Sequence, residues 1–348
     1  MGLSQQDDTE KIGGGWQEYC ENRKLREIKK RHNLYRHLFK TENLFPSFFQ
    51  IQTTTGCNGR CIMCPYTYKN DNKIQYMSDE LFEKIIREIA EGQKLTKERV
   101  KVNLILQNEP FLDKNLIKRI KFIKRFDNLF ATTLTNGSLL NEEKIRELEK
   151  SGIDWLTVSM DSVNKKTFEK IRPGLDFDRI MHNIELLRNS SLKNKLSLKM
   201  ILQKENQEER KNFFQFWDKK NVKTELYRVT NRCGTLKVFD DLRVNDTKLI
   251  GGFEEFSEEF NTIKIRDGQG FRPARICFFH FYAFNILSNG DVINCCHDWG
   301  HENIAGNVQK DTIKAVWQSK FKEYRQLFLK GRGHEIPTCG KCSLHNGC

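Results

Sequence analysis

Between Ser47 and Val229 the chain alternates between short runs rich in β-branched and aromatic residues and longer amphipathic runs. Strand-like runs fall at 47–55, 100–107, 129–137, 154–161, 196–202 and 223–229. Helix-like runs fall at 78–91, 116–126, 141–152, 177–190 and 207–220. Ser78 and Asn141 stand where helix N-caps are expected, and Gly152 where a helix stops. Regular alternation predicts an α/β protein whose strands are parallel and joined by right-handed crossovers. Six strands are too few to close an eight-fold barrel, so an open partial barrel is expected. In such folds the chemistry sits at the C-terminal ends of the strands.

The first strand runs directly into "TTTGCNGRCIMCPY", which carries Cys57, Cys61 and Cys64 as C-x3-C-x2-C. A closed zinc site or an ordinary iron–sulfur cluster takes four ligands. Three ligands on a loop at a barrel mouth point to a metal group with one position left open.

The remaining cysteines sharpen this. The chain has 348 residues and 11 cysteines, and its N-terminus lacks the apolar stretch of a secretory signal. No apolar run is long enough to span a bilayer, and Gln6 stands where a myristoylation motif requires Ser or Thr. A cytoplasmic location is expected, and there clustered cysteines point to metal before disulfides. The net charge of +13 raises nucleic acid as a partner. Lys and Glu are mixed along most helical segments, however, which reads as a charged surface, and nucleic acid is not expected to bind.

After about residue 235 the alternation stops. Cys277-x12-Gly290-x4-Cys295 is followed, after a gap with a helical run at 311–329, by Cys339-x2-Cys342-x5-Cys348. A hairpin turning at Gly290 brings Cys277 towards Cys295, with Cys296 as its rival, because neighbouring strand residues point opposite ways. Cys339 and Cys342 add two more thiolates. Four thiolates close a site for zinc or for [4Fe–4S], and geometry alone does not choose between them. The expected organisation is a helical arm at 1–45, the barrel at 46–235, a connector at 236–276 and a small Cys-rich domain at 277–348.

The triplet after the first strand resembles the signature of the radical S-adenosylmethionine (radical SAM) superfamily, with Met63 where that family usually has an aromatic. The C-terminal half, with "INCCHDW", "IAGNV" and "AVW" between its cysteines, resembles the SPASM/twitch extension of a subset of that family. The resemblance implies a partial (β/α)6 barrel and a [4Fe–4S] cluster on Cys57, Cys61 and Cys64. It implies that the open iron holds S-adenosylmethionine, which is cleaved reductively to a 5′-deoxyadenosyl radical that takes a substrate hydrogen. It implies one auxiliary [4Fe–4S] cluster on Cys277, Cys295, Cys339 and Cys342, because the chain stops before the further cysteines of a two-cluster version. Glu109, in "LQNEPFLD" where the family has a Gly-Gly-Glu-like turn, is implied to bind SAM. So are Asn136, beside Thr135 and Gly137, and Ser159, Asp161 and Arg172.

Relatives with this layout act on antibiotic sugars, ribosomally made peptides and protein side chains. The resemblance therefore implies an oxidoreductase or maturase of dehydrogenase or epimerase type, with crosslinking as a further outcome. Its substrate would be a sugar-like small molecule or a peptide, and its electron donor a flavodoxin or ferredoxin. Cys233, after the sixth strand, is a candidate hydrogen-atom donor, as in epimerase relatives, against the alternative of a buried small hydrophobe. His280, His297 and His345 are expected to hydrogen-bond near the auxiliary cysteines, "FFHFYAF" at 278–284 to pack in the core, and Cys20 to be incidental. The competing readings are a radical SAM enzyme that modifies RNA or protein and a zinc-stabilised binding protein.

Overall fold

The computed structural model describes residues 45–69, 73–96, 99–245, 262–267 and 270–346. All of them belong to the second of two compact units, Asn43–Cys348. Residues 1–44 of the expected arm, Cys20 and Cys348 lie outside the described residues, as does the side chain of His345.

Six parallel strands form in the expected places: β1 (Phe48–Ile51), β2 (Val100–Asn103), β3 (Leu129–Thr135), β4 (Trp155–Ser159), β5 (Leu196–Leu202) and β6 (Lys223–Arg228). They pair in chain order, each with the next. The helices Asp79–Thr96, Leu116–Ile123, Glu142–Glu149, Phe177–Arg188 and Arg210–Asp218 carry the crossovers. Asn141 caps its helix by accepting from the Lys144 N–H at 2.8 Å, and Ser78 accepts from Leu81.

Alternation within the strands separates the two faces of the sheet. Val100, Val102, Ala131, Leu156, Val158, Leu198 and Met200 are wholly buried and form the apolar layer beneath the helices. The opposite face is polar. Thr132 donates to Asn103, Trp155 Nε1 to Ser197 Oγ, and Ser197 to Glu225 at 2.8 Å. A barrel whose inner wall is hydrogen-bonded in this way is lined for a polar occupant.

The C-terminal residues extend the same sheet. β9 (Ala283–Ile286) pairs parallel to β1, with Phe48 opposite Ala283 and Ile51 opposite Ile286. β10 (Asp291–Ile293) and β11 (Ile304–Asn307) continue it antiparallel, giving nine strands in the order β11-β10-β9-β1-β2-β3-β4-β5-β6. In the expected connector, β7 (Thr262–Asp267) and β8 (Gly270–Arg275) form a separate hairpin. The predicted helix at 311–329 is two helices, Ile313–Gln318 and Lys320–Leu329, broken at Ser319.

The join at β1/β9 is aromatic. Phe49 packs on Phe284 with ring centroids 5.7 Å apart, Phe284 stacks on Phe321 at 5.3 Å, and Trp317 lies 5.0 Å from Phe321. Each of these side chains is fully buried, and such residues contribute on the order of 1.5–3 kcal/mol apiece. Phe281 and Phe284 pack as expected of the 278–284 run. Lys84 donates to the Val308 carbonyl and Ile313 N–H to Glu88, fastening the first barrel helix to the C-terminal part.

Candidate active site

The triplet loop leaves β1 through Gly56, whose φ of +95° is open to glycine at little cost. The loop is held from below by the segment after the helix Lys165–Ile171. Arg60 N–H donates to the Pro173 carbonyl and Ile62 N–H to the Ile171 carbonyl. This pairing sets Arg172 beside the triplet, with Nη1 3.6 Å from Cys61 Sγ. Arg172 Nε donates to Asp161 Oδ2 at 2.7 Å, and Asp161 Oδ1 accepts from the Ile201 N–H. Both side chains are buried. The triplet loop also packs through Met63, which sits in an apolar cluster with Ile171, Val229, Leu236 and Phe239.

The loops after β2 and β3 meet at Glu109. Its carboxylate accepts from Thr135 Oγ1 at 2.6 Å, from Asn136 N–H at 2.8 Å and from Phe111 N–H, while its own N–H donates to the Gly56 carbonyl. Glu109 therefore ties together the ends of the first three strands. Asn136 Nδ2 reaches Asn58 Oδ1 at 2.8 Å and lies 4.0 Å from Cys57 Sγ. Ser159 is buried at the end of β4.

Each triplet sulfur thus faces a donor: Gly59 N–H and Asn136 for Cys57, Arg172 for Cys61, and Tyr66 N–H for Cys64. Burial pushes the Cys57 thiol up to about 12 and the Cys61 thiol up to about 11, with Arg172 pulling Cys61 the other way. Half-buried sulfurs faced by N–H donors fit a bound metal group, because coordination deprotonates the thiol and the donors stabilise the charge.

The C-terminal cysteines make a second group. Cys277 accepts from the Phe279 and His280 N–H groups, Cys295 from His297 N–H at 3.4 Å, and Cys342 from the His297 side chain and Leu344 N–H. Cys339 lies 3.9 Å from both Asn294 Nδ2 and His280 Nε2. His280 and His297 are hydrogen-bonding neighbours of these cysteines, as expected. Cys296 adjoins Cys295, and its charge also acts on Cys277. Cys233 is buried, and its thiol interacts with those of Cys295 and Cys342. Among the described residues, no three Cys, His, Asp or Glu side chains converge as a single metal ion requires. Thiols ringed by N–H donors in this way fit a bound iron–sulfur group, as at the triplet.

Several contributors carry no motif. Gln107, where the family's turn has glycine, donates to the Asp298 carbonyl and meets His301 Nε2 at 2.9 Å, joining the barrel to the C-terminal part. Lys199, a lone charge in the apolar run "LSLKMIL", lies over the Tyr227 ring at 3.7 Å. Burial and then Arg232 bring its pKa down to about 8. The charge of Arg232 also favours the thiolate forms of Cys64 and Cys296. A charge inside an apolar strand was the available signal for Lys199; Arg232 left none.

An open parallel barrel with three thiols at its mouth, and further thiols on a sheet extension, defines an iron–sulfur enzyme. The chain belongs to the radical SAM superfamily: the family model matches residues 51–216, and an iron–sulfur cluster-binding SPASM domain matches 277–343. Its cofactors are accordingly S-adenosylmethionine, a [4Fe–4S] cluster and an auxiliary cluster. The GTP 3′,8-cyclase of Clostridium perfringens is 24% identical over 164 residues, which are 47% of this chain and 49% of that protein. The chain spans about half the length of the curated relatives it matches. Among solved structures, BtrN in complex with AdoMet and 2-DOIA aligns with a TM-score of 0.55 at 16% identity, covering 86% of this chain and 93% of that one. Streptococcus suis SuiB bound to its precursor peptide SuiA aligns with a TM-score of 0.60 at 16% identity, covering 100% of this chain and 80% of that one. These likenesses show a shared fold. Among the described residues, no helix is long and apolar enough to cross a membrane.

Proposed function

We propose that this protein is a cytoplasmic radical SAM oxidoreductase of maturase type that oxidises, epimerises or crosslinks a polar small molecule or a short peptide. The observation that carries the reading is the three-cysteine loop after β1, set beside the buried Arg172–Asp161 pair, together with a second set of cysteines borne by the part of the chain that extends the same sheet through β9. When bound, the first cluster and S-adenosylmethionine supply a 5′-deoxyadenosyl radical for hydrogen abstraction, and the auxiliary cluster supplies an electron relay.

Cys57, Cys61 and Cys64 would hold the first cluster, and Cys277, Cys295, Cys339 and Cys342 the second. Asn136, 4.0 Å from Cys57, and Ser159, at the end of β4, would orient S-adenosylmethionine. Arg172 offers a guanidinium fork to a carboxylate while Asp161 fixes its angle. Glu109 would act by fixing the Asn136 loop, since its oxygens already accept three donors of the chain. The polar inner wall, with Lys199 and Tyr227 near its upper rim, suits a hydroxylated or amide-bearing substrate. A flavodoxin or ferredoxin would deliver the electron.

The test counts iron and acid-labile sulfide per chain after anaerobic reconstitution, in the wild type and in a Cys57/Cys61/Cys64→Ala triple variant. About eight irons falling to about four supports the reading. About four falling to none removes the relay and leaves a single-cluster enzyme. No iron in the wild type, with zinc in its place, overturns it in favour of a zinc-stabilised binding protein. Release of 5′-deoxyadenosine from S-adenosylmethionine under dithionite, absent in the triple variant, checks the first site separately.

A further inference from the structure

The loop after β6 is built at a cost that nothing in the barrel explains. Arg232 has φ +49° and Cys233 φ +54°, so two consecutive non-glycine residues take the left-handed conformation, followed by Gly234 at +82°. Such strain persists only where the surroundings over-determine it. Here they do. Asn231 Nδ2 donates to the Lys341 carbonyl at 2.7 Å, Asn231 N–H donates to Ser343 Oγ, and Ser343 N–H donates back to Asn231 Oδ1 at 3.0 Å. These bonds clamp the loop onto the segment that carries Cys339 and Cys342. On its other side, Val229 and Leu236 pack against Met63 of the triplet loop.

The strained backbone delivers one group. The Cys233 thiol is buried, and the thiols with which its side chain interacts are those of Cys295 and Cys342. A cysteine serving only as a small hydrophobe has no need of a left-handed backbone, and its neighbours would be carbon. The neighbours of Cys233 are the sulfurs of Cys295 and Cys342, both proposed ligands of the auxiliary cluster.

We infer that Cys233 is a fifth thiolate of the C-terminal cluster site, sharing with Cys295 the coordination of one iron. The inference rests on the reading that this site holds a [4Fe–4S] cluster. In the exchange the Cys233 Sγ–iron bond forms as the Cys295 Sγ–iron bond breaks, and the proton lost by the Cys233 thiol passes to the released Cys295 thiolate, with no change of oxidation state. A thiol in contact with a ligating sulfur takes its place by a side-chain rotation, so the iron exchanges one cysteine for the other. The barrel thereby gains a direct bond to the auxiliary cluster through the loop that also buttresses the triplet.

The test is made in the full chain with Cys57, Cys61 and Cys64 replaced by Ala, so that only the C-terminal site can load. Iron, sulfide and the EPR spectrum of the reduced cluster are measured after anaerobic reconstitution. The expectation is about four irons in this parent and in each of Cys233→Ala and Cys295→Ala. The Cys233→Ala/Cys295→Ala double variant should fall at least four-fold, with folding monitored by circular dichroism. Cys295→Ala alone losing as much iron as the double variant overturns the proposal, and so does a double variant that keeps its iron. Should the double variant misfold, the isosteric Cys233→Ser decides. The parent spectrum should hold two overlapping components and this variant one; a spectrum superposable on the parent overturns the inference, as a hydrogen-atom donor or a packing role would predict. A parent without iron removes the cluster reading itself, an outcome distinct from all of these.

Discussion

Replacing Arg172 with Met tests the electrostatic frame of the triplet. In the native chain Asp161 is 0% and Arg172 5% exposed, and their ion pair measures 2.7 Å. Removing one member of a buried pair leaves the other charge desolvated and costs about 3–5 kcal/mol. Asp161 keeps its bond from the Ile201 N–H, which places Arg172→Met near the lower end, about 3 kcal/mol. At roughly 2 °C per kcal/mol for a large domain, the midpoint of thermal unfolding should drop by about 6 °C. Asp161→Asn/Arg172→Met removes both charges, so it should cost less than the sum of the two single variants by about 1–3 kcal/mol. Anaerobic thermal melts of all four proteins close the cycle, and iron content reports whether Cys61 has lost its positive neighbour. A drop under about 1 kcal/mol for Arg172→Met, or additivity of the two changes, would refute the argument that this pair is a buried and mutually dependent support.

Two further expectations concern the C-terminal site and the inner wall. A methyl group at Gly340 would fall 2.5 Å from the His334 carbonyl oxygen, a backbone atom with little freedom to retreat. Gly340→Ala should therefore destabilise the chain by about 1–3 kcal/mol and lower iron loading at the C-terminal site, as read by iron counts in the background with Cys57, Cys61 and Cys64 replaced by Ala. Lys199, brought down to about 8 from 10.5 chiefly by burial, binds its proton less tightly folded than unfolded. Its contribution to stability is thus present above the unfolded pKa and lost as pH falls through about 8. Lys199→Met should be more stable than the wild type at pH 7, and the gap should shrink as the pH rises from 8 towards 10.5. A gap that stays constant over that window would show that the lysine is solvated.

Much of the barrel was legible because its strands and helices differ in period. The run at 196–202 emerged as β5 with the expected bounds, and the others shortened by a few residues at their ends, where capping rather than pattern decides. The cysteine triplet was legible because its spacing and its place after a strand are both local. The partners of its sulfurs were less so. Arg172 reaches Cys61 only because residues 171–173 pair with the triplet loop, and Glu109 is committed to Thr135 and Asn136 by the meeting of loops from different strands.

The pairing of β9 with β1 shows the same limit on a larger scale. "AFNI" is buried along its whole length, and a short apolar run carries no mark of which distant strand it will join. Cys233 is the sharpest case. In the sequence it is a solitary cysteine after the sixth strand, a candidate hydrogen-atom donor by resemblance, and nothing local joins it to the C-terminal cysteines. Its meaning comes from two left-handed residues that only a clamp at Asn231 can hold. Since local preference disfavours that conformation at both Arg232 and Cys233, local sequence reasoning points away from the geometry that places this thiol among the others. Strain at a non-glycine residue has to be balanced by contacts elsewhere in the fold, and here those contacts lie on the segment that carries Cys339 and Cys342.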